Sequence, residues 1–269
     1  MVKIEIENVS YQYPQSDQLT LHDVSMTLSG NERIALIGQN GAGKTTLTKQ
    51  LNGILHPTSG HITIDGIDVN EQMTAEWASK VGYVFQNPND QLFLDAVKKE
   101  LAFGPQNIGM TRGEIQCQIR DVSQLVGLQD RLSSHPLDLI DADKKFCAIG
   151  SVLTMNPDVV VMDEPTGGQD EPGRKRLAEI LAWLKLQHKL CLVVSHDMRF
   201  VAENFDCVIV MEQGQIVLDG TARDVFSHPE VLAKAFVTPP PVTRLAQQLG
   251  WSKTVLTVKE FVEELKQQV

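Results

Sequence analysis

Cysteine is scarce. Cys117, Cys147, Cys191 and Cys207 stand far apart in 269 residues, with no CxxC pair and no His/Cys cluster at metal-ligand intervals. That excludes a disulfide framework or a structural zinc site as the basis of the fold, and buried thiols in a reducing compartment are expected. Long apolar runs are absent too: Val-Val-Val-Met at 159–162 and Val-Ile-Val-Met at 208–211 fall far short of the ~20 residues that span a bilayer. If the protein works at a membrane, another chain must cross it. The opening MVKIEIENVS alternates charges where a signal peptide would carry an apolar block, so no secretion signal is expected there. Basic residues are outnumbered, 24 against 34 acidic, for a net charge of −10. Nucleic-acid binding draws most of its affinity from Lys and Arg, so no nucleic-acid partner is expected. Internal repeats and low-complexity tracts are also missing.

What is present suits a folded enzyme: 42% apolar and 22% charged residues can bury a sizeable core, as one large domain or two small ones. Ile4 and Ile6 alternate with charges, which predicts a half-exposed first strand, and a second is expected over 21–28. Residues 33–38 form a short apolar run into a glycine-rich turn, followed by helical composition at 45–51. Strands are expected at 61–64 and 80–85. From about 87 to 156 the pattern turns helical, with capping-box spacing at Thr111 and Glu114 ahead of Ile115, Ile119, Val122 and Val126. Residues 158–162, 190–194 and 207–211 are apolar at consecutive positions, as buried parallel strands tend to be. Pro239-Pro240-Pro241 predicts a stiff linker, and Thr257 with Glu260 repeats the capping-box spacing ahead of a short C-terminal helix.

The chemistry is concentrated in two places. Gly38-Gln-Asn-Gly-Ala-Gly-Lys-Thr45 matches the phosphate-binding pattern GxxxxGK[ST], between an apolar strand and a helix. Its glycines let backbone N–H groups point at a polyphosphate, Lys44 adds a cation, and Thr45 offers a hydroxyl to Mg²⁺. Asp163 and Glu164 end a buried strand, where Asp163 is the metal-side candidate and Glu164 the general base. No Asn-Lys-x-Asp sequence is present to read guanine, so adenine is favoured.

Over roughly residues 2 to 220 the chain resembles the ATP-binding-cassette family. The resemblance implies an α/β fold: a P-loop core with a mainly parallel sheet, an antiparallel β subdomain, a helical insertion at about 87–156 and a helical extension over 221–269. It implies ATP contacts from Tyr13, Gly38, Gln39, Asn40, Gly41, Ala42, Gly43, Lys44, Thr45 and Thr46. Tyr13 falls at the adenine-stacking position, with Tyr11 as the alternative stacker and a plain core role open to both. Gln86 matches the glutamine loop, His196 the switch histidine beside Glu164, and Asp170 a loop that touches the partner. Mg²⁺ would be held by Thr45, Gln86 and Asp163.

One stretch departs from the family. Its Leu-Ser-Gly-Gly-Gln signature, which completes the partner's ATP site, is here Leu-Ile-Asp-Ala-Asp at 139–143. Ile140 replaces the serine, and Asp141 and Asp143 add negative charge where a γ-phosphate would dock. Like charges ~4 Å apart repel by about 4 kcal/mol at an effective dielectric of about 20. The consequence is a heterodimer with a second, signature-intact ATPase, giving one competent site.

Gln86-Asn-Pro-Asn-Asp-Gln91 is similar to the stretch found in ATPases of energy-coupling-factor transporters and their cobalt- and nickel-uptake relatives. That resemblance implies a subunit peripheral to the cytoplasmic face of the cell membrane, coupled to a transmembrane scaffold and a membrane-embedded substrate-binding subunit for vitamin or metal-ion uptake. The alternatives are the ATPase of another transporter, a soluble cassette acting on DNA or ribosomes, and a partner that holds ATP without turnover.

Overall fold

The computed structural model describes residues 1–30 and 32–268. Strands β1 (Lys3–Gln12) and β2 (Leu19–Ser29) pair antiparallel before β3 (Arg33–Ile37) leads through a glycine-rich turn into α1 (Lys44–Thr48). Next come β4 (Ser59–Ile64), β5 (Ile67–Asp68), α2 (Thr74–Trp77) and β6 (Val81–Val84), then three helices, α3 (Val97–Asn107), α4 (Arg112–Leu125) and α5 (Asp141–Leu153). Sheet and helix then alternate through β7 (Val159–Asp163), α6 (Glu171–Leu186), β8 (Leu190–Val194), α7 (Met198–Asn204), β9 (Cys207–Glu212) and β10 (Gln215–Gly220). Helices α8 (Ala222–Phe226), α9 (Pro229–Lys234), α10 (Pro241–Gln248) and α11 (Val258–Gln268) follow.

The strands form two sheets. One is four-stranded, ordered β2-β1-β4-β5, and antiparallel; the other is six-stranded, ordered β10-β9-β3-β8-β7-β6, parallel except at its β10 edge. Side chains alternate across a strand, so a sheet covered on both faces must be apolar at every position. In β3, Ile34 and Leu36 join a core shared with the four-stranded sheet and α1, while Ala35 and Ile37 join the core under the helices. Strands β7 and β8 divide in the same way, which accounts for their unbroken aliphatic sequences.

The α4 start carries the complete capping box: Thr111 Oγ1 accepts from the Glu114 N–H, and Glu114 accepts from the Thr111 N–H. At Thr257 only half of it forms. Thr257 Oγ1 accepts from the Glu260 N–H at 3.1 Å, but the Glu260 carboxylate turns to the Leu256 N–H and to Arg223. The prolines also differ from a free spacer: Pro239 and Pro240 are buried, and Pro241 opens α10. A proline fits the first helical turn because its missing N–H would have no helical partner there. Regular helix after the glycine turn stops at Thr48, short of the expected 51. Of the four free thiols, Cys147 and Cys191 are buried as expected, Cys207 is half-buried, and Cys117 is exposed because α4 buries the face of Ile115, Ile119 and Val122 instead. Among the described residues no helix is long and apolar enough to cross a membrane.

Asp206 ties the start of β3 to α6. Its carboxylate accepts from the Arg33 N–H, Nε and Nη2 and, at 2.8 Å, from Lys185 Nζ. Burial alone would raise its pKa, but the hydrogen bonds from Arg33 and Lys185 hold it well below the usual carboxylate range. A lowered carboxyl pKa adds stability that is present above the unfolded value of about 3.9 and lost as pH falls through the folded one. Asp206→Asn is expected to cost about 1–3 kcal/mol at pH 7, read from the urea midpoint, with the gap to wild type narrowing below about pH 4.

Candidate active site

The parallel strands end side by side. Asp163 pairs with Val194, Leu36 with Val194, and Val84 with Met162, so β3, β8, β7 and β6 finish on one level. Gly38 and Glu164 directly follow β3 and β7, and His196 and Gln86 stand two residues beyond the ends of β8 and β6. Two backbone bonds carry the ladder past the strand ends: Glu164 N–H to the Val194 carbonyl at 3.0 Å and Ser195 N–H to the Leu36 carbonyl at 3.3 Å. A cleft of about 290 Å³ opens there, lined by Tyr13, Asn40, residues 41–46, Gln86, Asp163, Glu164 and His196. Open α/β sheets place ligands at such carboxyl ends.

The phosphate-loop pattern is dictated by space. Gly38 has φ 146°, and a Cβ there would stand 2.2 Å from the Met211 carbonyl oxygen. Gly43, at φ 95°, starts α1 in the left-handed region, where a Cβ would meet Leu21 at 2.7 Å. Lys44 is buried, and its Nζ donates to the carbonyls of Gly38 at 2.7 Å and Gln39 at 2.8 Å. The Gly38 and Gln39 carbonyls thus hold the lysine in place. Burial lowers the Lys44 pKa, against the opposing pull of Glu164 and Asp163.

Thr45 Oγ1 donates to Asp163 Oδ2 at 2.9 Å, placing a hydroxyl and a buried carboxylate side by side with Gln86 in the same cleft. These are oxygen donors of the type Mg²⁺ prefers, and Mg²⁺ commonly takes only one or two protein ligands beside substrate phosphates. Among the described residues no group of three or more His, Cys, Asp or Glu could hold a metal ion. The residues present fit the ion.

Glu164 leaves the strand with φ 50°, a left-handed conformation unusual for a residue with a side chain and characteristic of functional sites. Its side chain is 12% exposed. Burial raises its pKa to about 7, with Asp163 adding to the rise and the His196 N–H, Lys44 and Lys145 opposing it. The His196 N–H donates to Glu164 Oε2 at 3.3 Å. Its Nε2 lies 2.9 Å from Oε1 but off the hydrogen-bonding direction, which leaves Oε1 buried without a donor. Partial burial and the nearby Lys44 charge lower the His196 pKa against the opposing pull of Asp163, which favours the neutral ring. A carboxylate near neutrality with a free lone pair beside a neutral imidazole is equipped to take a proton from water.

Tyr13 lies at the cleft mouth, 37% exposed; its hydroxyl is 2.9 Å from Thr46 Oγ1, and its ring meets Tyr11 edge to face at 4.9 Å. Tyr11 is buried, so Tyr13 is the ring with a free face. Gln86 is exposed, and the chain after it is anchored by Gln91, which accepts from the Phe85 N–H and donates to the Ala148 carbonyl on α5. Asp170 caps α6, accepting from the Gly173 N–H at 2.9 Å.

The substituted signature opens α5. Ile140 occupies the N-cap position, makes no side-chain cap and is 69% exposed; Asp141 and Asp143 fill the first turn. Two residues invisible to motif reading join the site from behind. Tyr83 is buried with its hydroxyl 3.1 Å from Thr48 Oγ1 and near Asp163, and Lys145 reaches the Glu164 loop from α5. The signal for Lys145 was its place on the same helical face as Ile149 and Val152, a charge on an apolar stripe.

Gly38→Ala is expected to lower stability by about 2 kcal/mol or more through its backbone clash. Gly41→Ala, at φ 82° with open space around it, is expected to cost only about 1 kcal/mol. Urea midpoints of the two variants check the difference.

Comparison with known proteins agrees with this geometry. Residues 21–167 match the ABC transporter family model. The chain is 38% identical to the energy-coupling factor transporter ATP-binding protein EcfA2 of Streptococcus thermophilus, with 97% of this chain and 98% of that protein covered. It is 36% identical to EcfA2 of Clostridium perfringens, with 98% and 97% covered. Among solved structures, CbiO1 of Clostridium perfringens, described as part of the ABC transporter complex CbiONQ, superposes with a TM-score of 0.75 at 30% identity, covering 92% of this chain and 98% of that one. With the glycine-rich loop, a paired acidic strand end and His196 in one cleft, the chain belongs to the ATP-binding-cassette transporter ATPases, as an ATP-binding subunit of the energy-coupling-factor type.

Proposed function

We propose that this subunit hydrolyses ATP as one half of a heterodimer, peripheral to the cytoplasmic face of the cell membrane, with a second, non-identical ATPase whose signature is intact. The observation that carries the reading is an asymmetry. The groups that hold and cleave ATP converge on one cleft, whereas α5 opens with an exposed Ile140 and two carboxylates. A helix N-terminus attracts anions through its free N–H groups and dipole. Asp141 and Asp143 in the first turn place negative charge at that end, which disfavours a phosphate there.

In this reading Tyr13 stacks on adenine, residues 38–46 cradle the polyphosphate, and Thr45, Asp163 and Gln86 would hold Mg²⁺. Once bound, Mg²⁺ supplies charge neutralisation on the β- and γ-phosphates. Glu164 takes the proton of the water that attacks the γ-phosphorus, and His196 orients that water. The bond to the β-phosphate oxygen breaks, leaving ADP and phosphate.

Two surfaces support the assembly. A groove of about 620 Å³ beside the Gln86 loop carries exposed Phe93, Phe103 and Ile108, with a shape and polarity that suit a helix of a transmembrane scaffold. Exposed Leu245 on α10, Leu249 at its C-cap, and Val262 and Leu265 on α11 suit the second ATPase. A separate membrane-embedded subunit would choose the cargo, a vitamin or a metal ion.

In the assembled heterodimer, Glu164→Gln is expected to cut ATP turnover by about 100-fold or more. Rebuilding the signature with Ile140→Ser, Asp141→Gly, Ala142→Gly and Asp143→Gln should then restore turnover at the second site. Full turnover in the Glu164→Gln heterodimer with the native 139–143 stretch would overturn the assignment.

A further inference from the structure

Helix α5 presents its substituted first turn outward and sends the following residue pair in opposite directions. Lys144 reaches back to Asp141, while Lys145 turns inward and is 8% exposed. An ammonium is kept from water only where its donors are used. Lys145 Nζ donates to the Glu164 carbonyl at 2.9 Å and to the Gly167 carbonyl at 3.1 Å. A second tie runs beside it, from Gln169 Nε2 to the Ala142 carbonyl at 3.3 Å.

The identity of the first acceptor matters. The Glu164 carbonyl belongs to the residue that leaves β7 in a left-handed conformation, at φ 50°. The direction of a side chain follows the backbone dihedrals of its own residue. Holding that carbonyl therefore restrains the Cα–Cβ direction and the rotamers open to Glu164, and the carboxylate has few other restraints: Oε2 accepts a long bond from the His196 N–H, and Oε1 has no donor.

We propose that Lys145 is a positioning residue for hydrolysis, clamping the Glu164 and Gly167 carbonyls so that the Glu164 carboxylate is aimed into the cleft and moves with α5. The proposal rests on the reading of Glu164 as the general base. It also gives α5 a role that survives the loss of the signature: the helix that no longer completes a neighbouring site still supports the base of its own.

The test uses the full complex with the partner ATPase and membrane subunits. Lys145→Met removes both donors at nearly constant volume, and it is expected to lower kcat by about tenfold or more, as small misplacements of a reacting group do. The KM for ATP and the Kd of a fluorescent ATP analogue should stay within about twofold of wild type. Lys145→Gln, whose amide can still donate to the carbonyls, should recover most of the lost rate. Adding Lys145→Met to Glu164→Gln should cause no further loss, because the base it positions is already gone. Lys145→Leu serves for the same comparison where the Met variant does not assemble. Turnover within about twofold of wild type in the Met or Leu variant, or equal losses of kcat and nucleotide binding, would overturn the positioning role. Wild-type turnover in Glu164→Gln would instead remove the base assignment on which the proposal stands.

Discussion

The level register of four parallel strands is the constraint on which the site depends. Residues of β3, β7 and β8 are buried on both faces, split between the core shared with the four-stranded sheet and the core under the helices. A slip of one residue would exchange every side chain between those two cores, whose shapes differ. Hydrophobic packing thus holds the strands in place, and the strands in turn bring Gly38, Glu164, His196 and Gln86 to one edge.

On that frame the chemistry is built from departures from regular structure. The phosphate loop needs glycine at 38 because the Met211 carbonyl occupies the space a side chain would take. Glu164 turns out of its strand in a left-handed conformation, and its carboxylate sits in a partly dry environment. Burial, more than any neighbouring charge, moves its pKa toward neutrality. Helix α5 then links the parts. Through Gln91 it holds the loop after Gln86, through Lys145 and Gln169 the loop after Glu164, and its own first turn faces outward with two carboxylates.

Much of this was legible in the sequence, for physical reasons. Unbroken aliphatic runs such as 159–162 and 190–194 report two-sided burial, and the Thr111 to Glu114 spacing reports a helix start. The glycine spacing reports backbone that must approach a phosphate. Less legible were features decided by tertiary contacts. Thr257 and Glu260 have the same spacing as Thr111 and Glu114, yet Arg223 competes for the Glu260 carboxylate and breaks the box. The three prolines read as a spacer because sequence alone does not register the burial of Pro239 and Pro240. Exposure of Cys117 depends on which face α4 turns inward. The role of Lys145 depends on its acceptors, two backbone carbonyls far along the chain, which the sequence does not bring together.

The central claim is that only one of the two composite sites cleaves ATP, the one using this chain's phosphate loop and acidic strand. Vanadate trapping of the heterodimer with radiolabelled ATP and Mg²⁺ counts competent sites directly. The expected result is one trapped ADP per dimer, recovered with this chain after cross-linking. Two trapped ADP per dimer, or label found only on the partner, would contradict the claim.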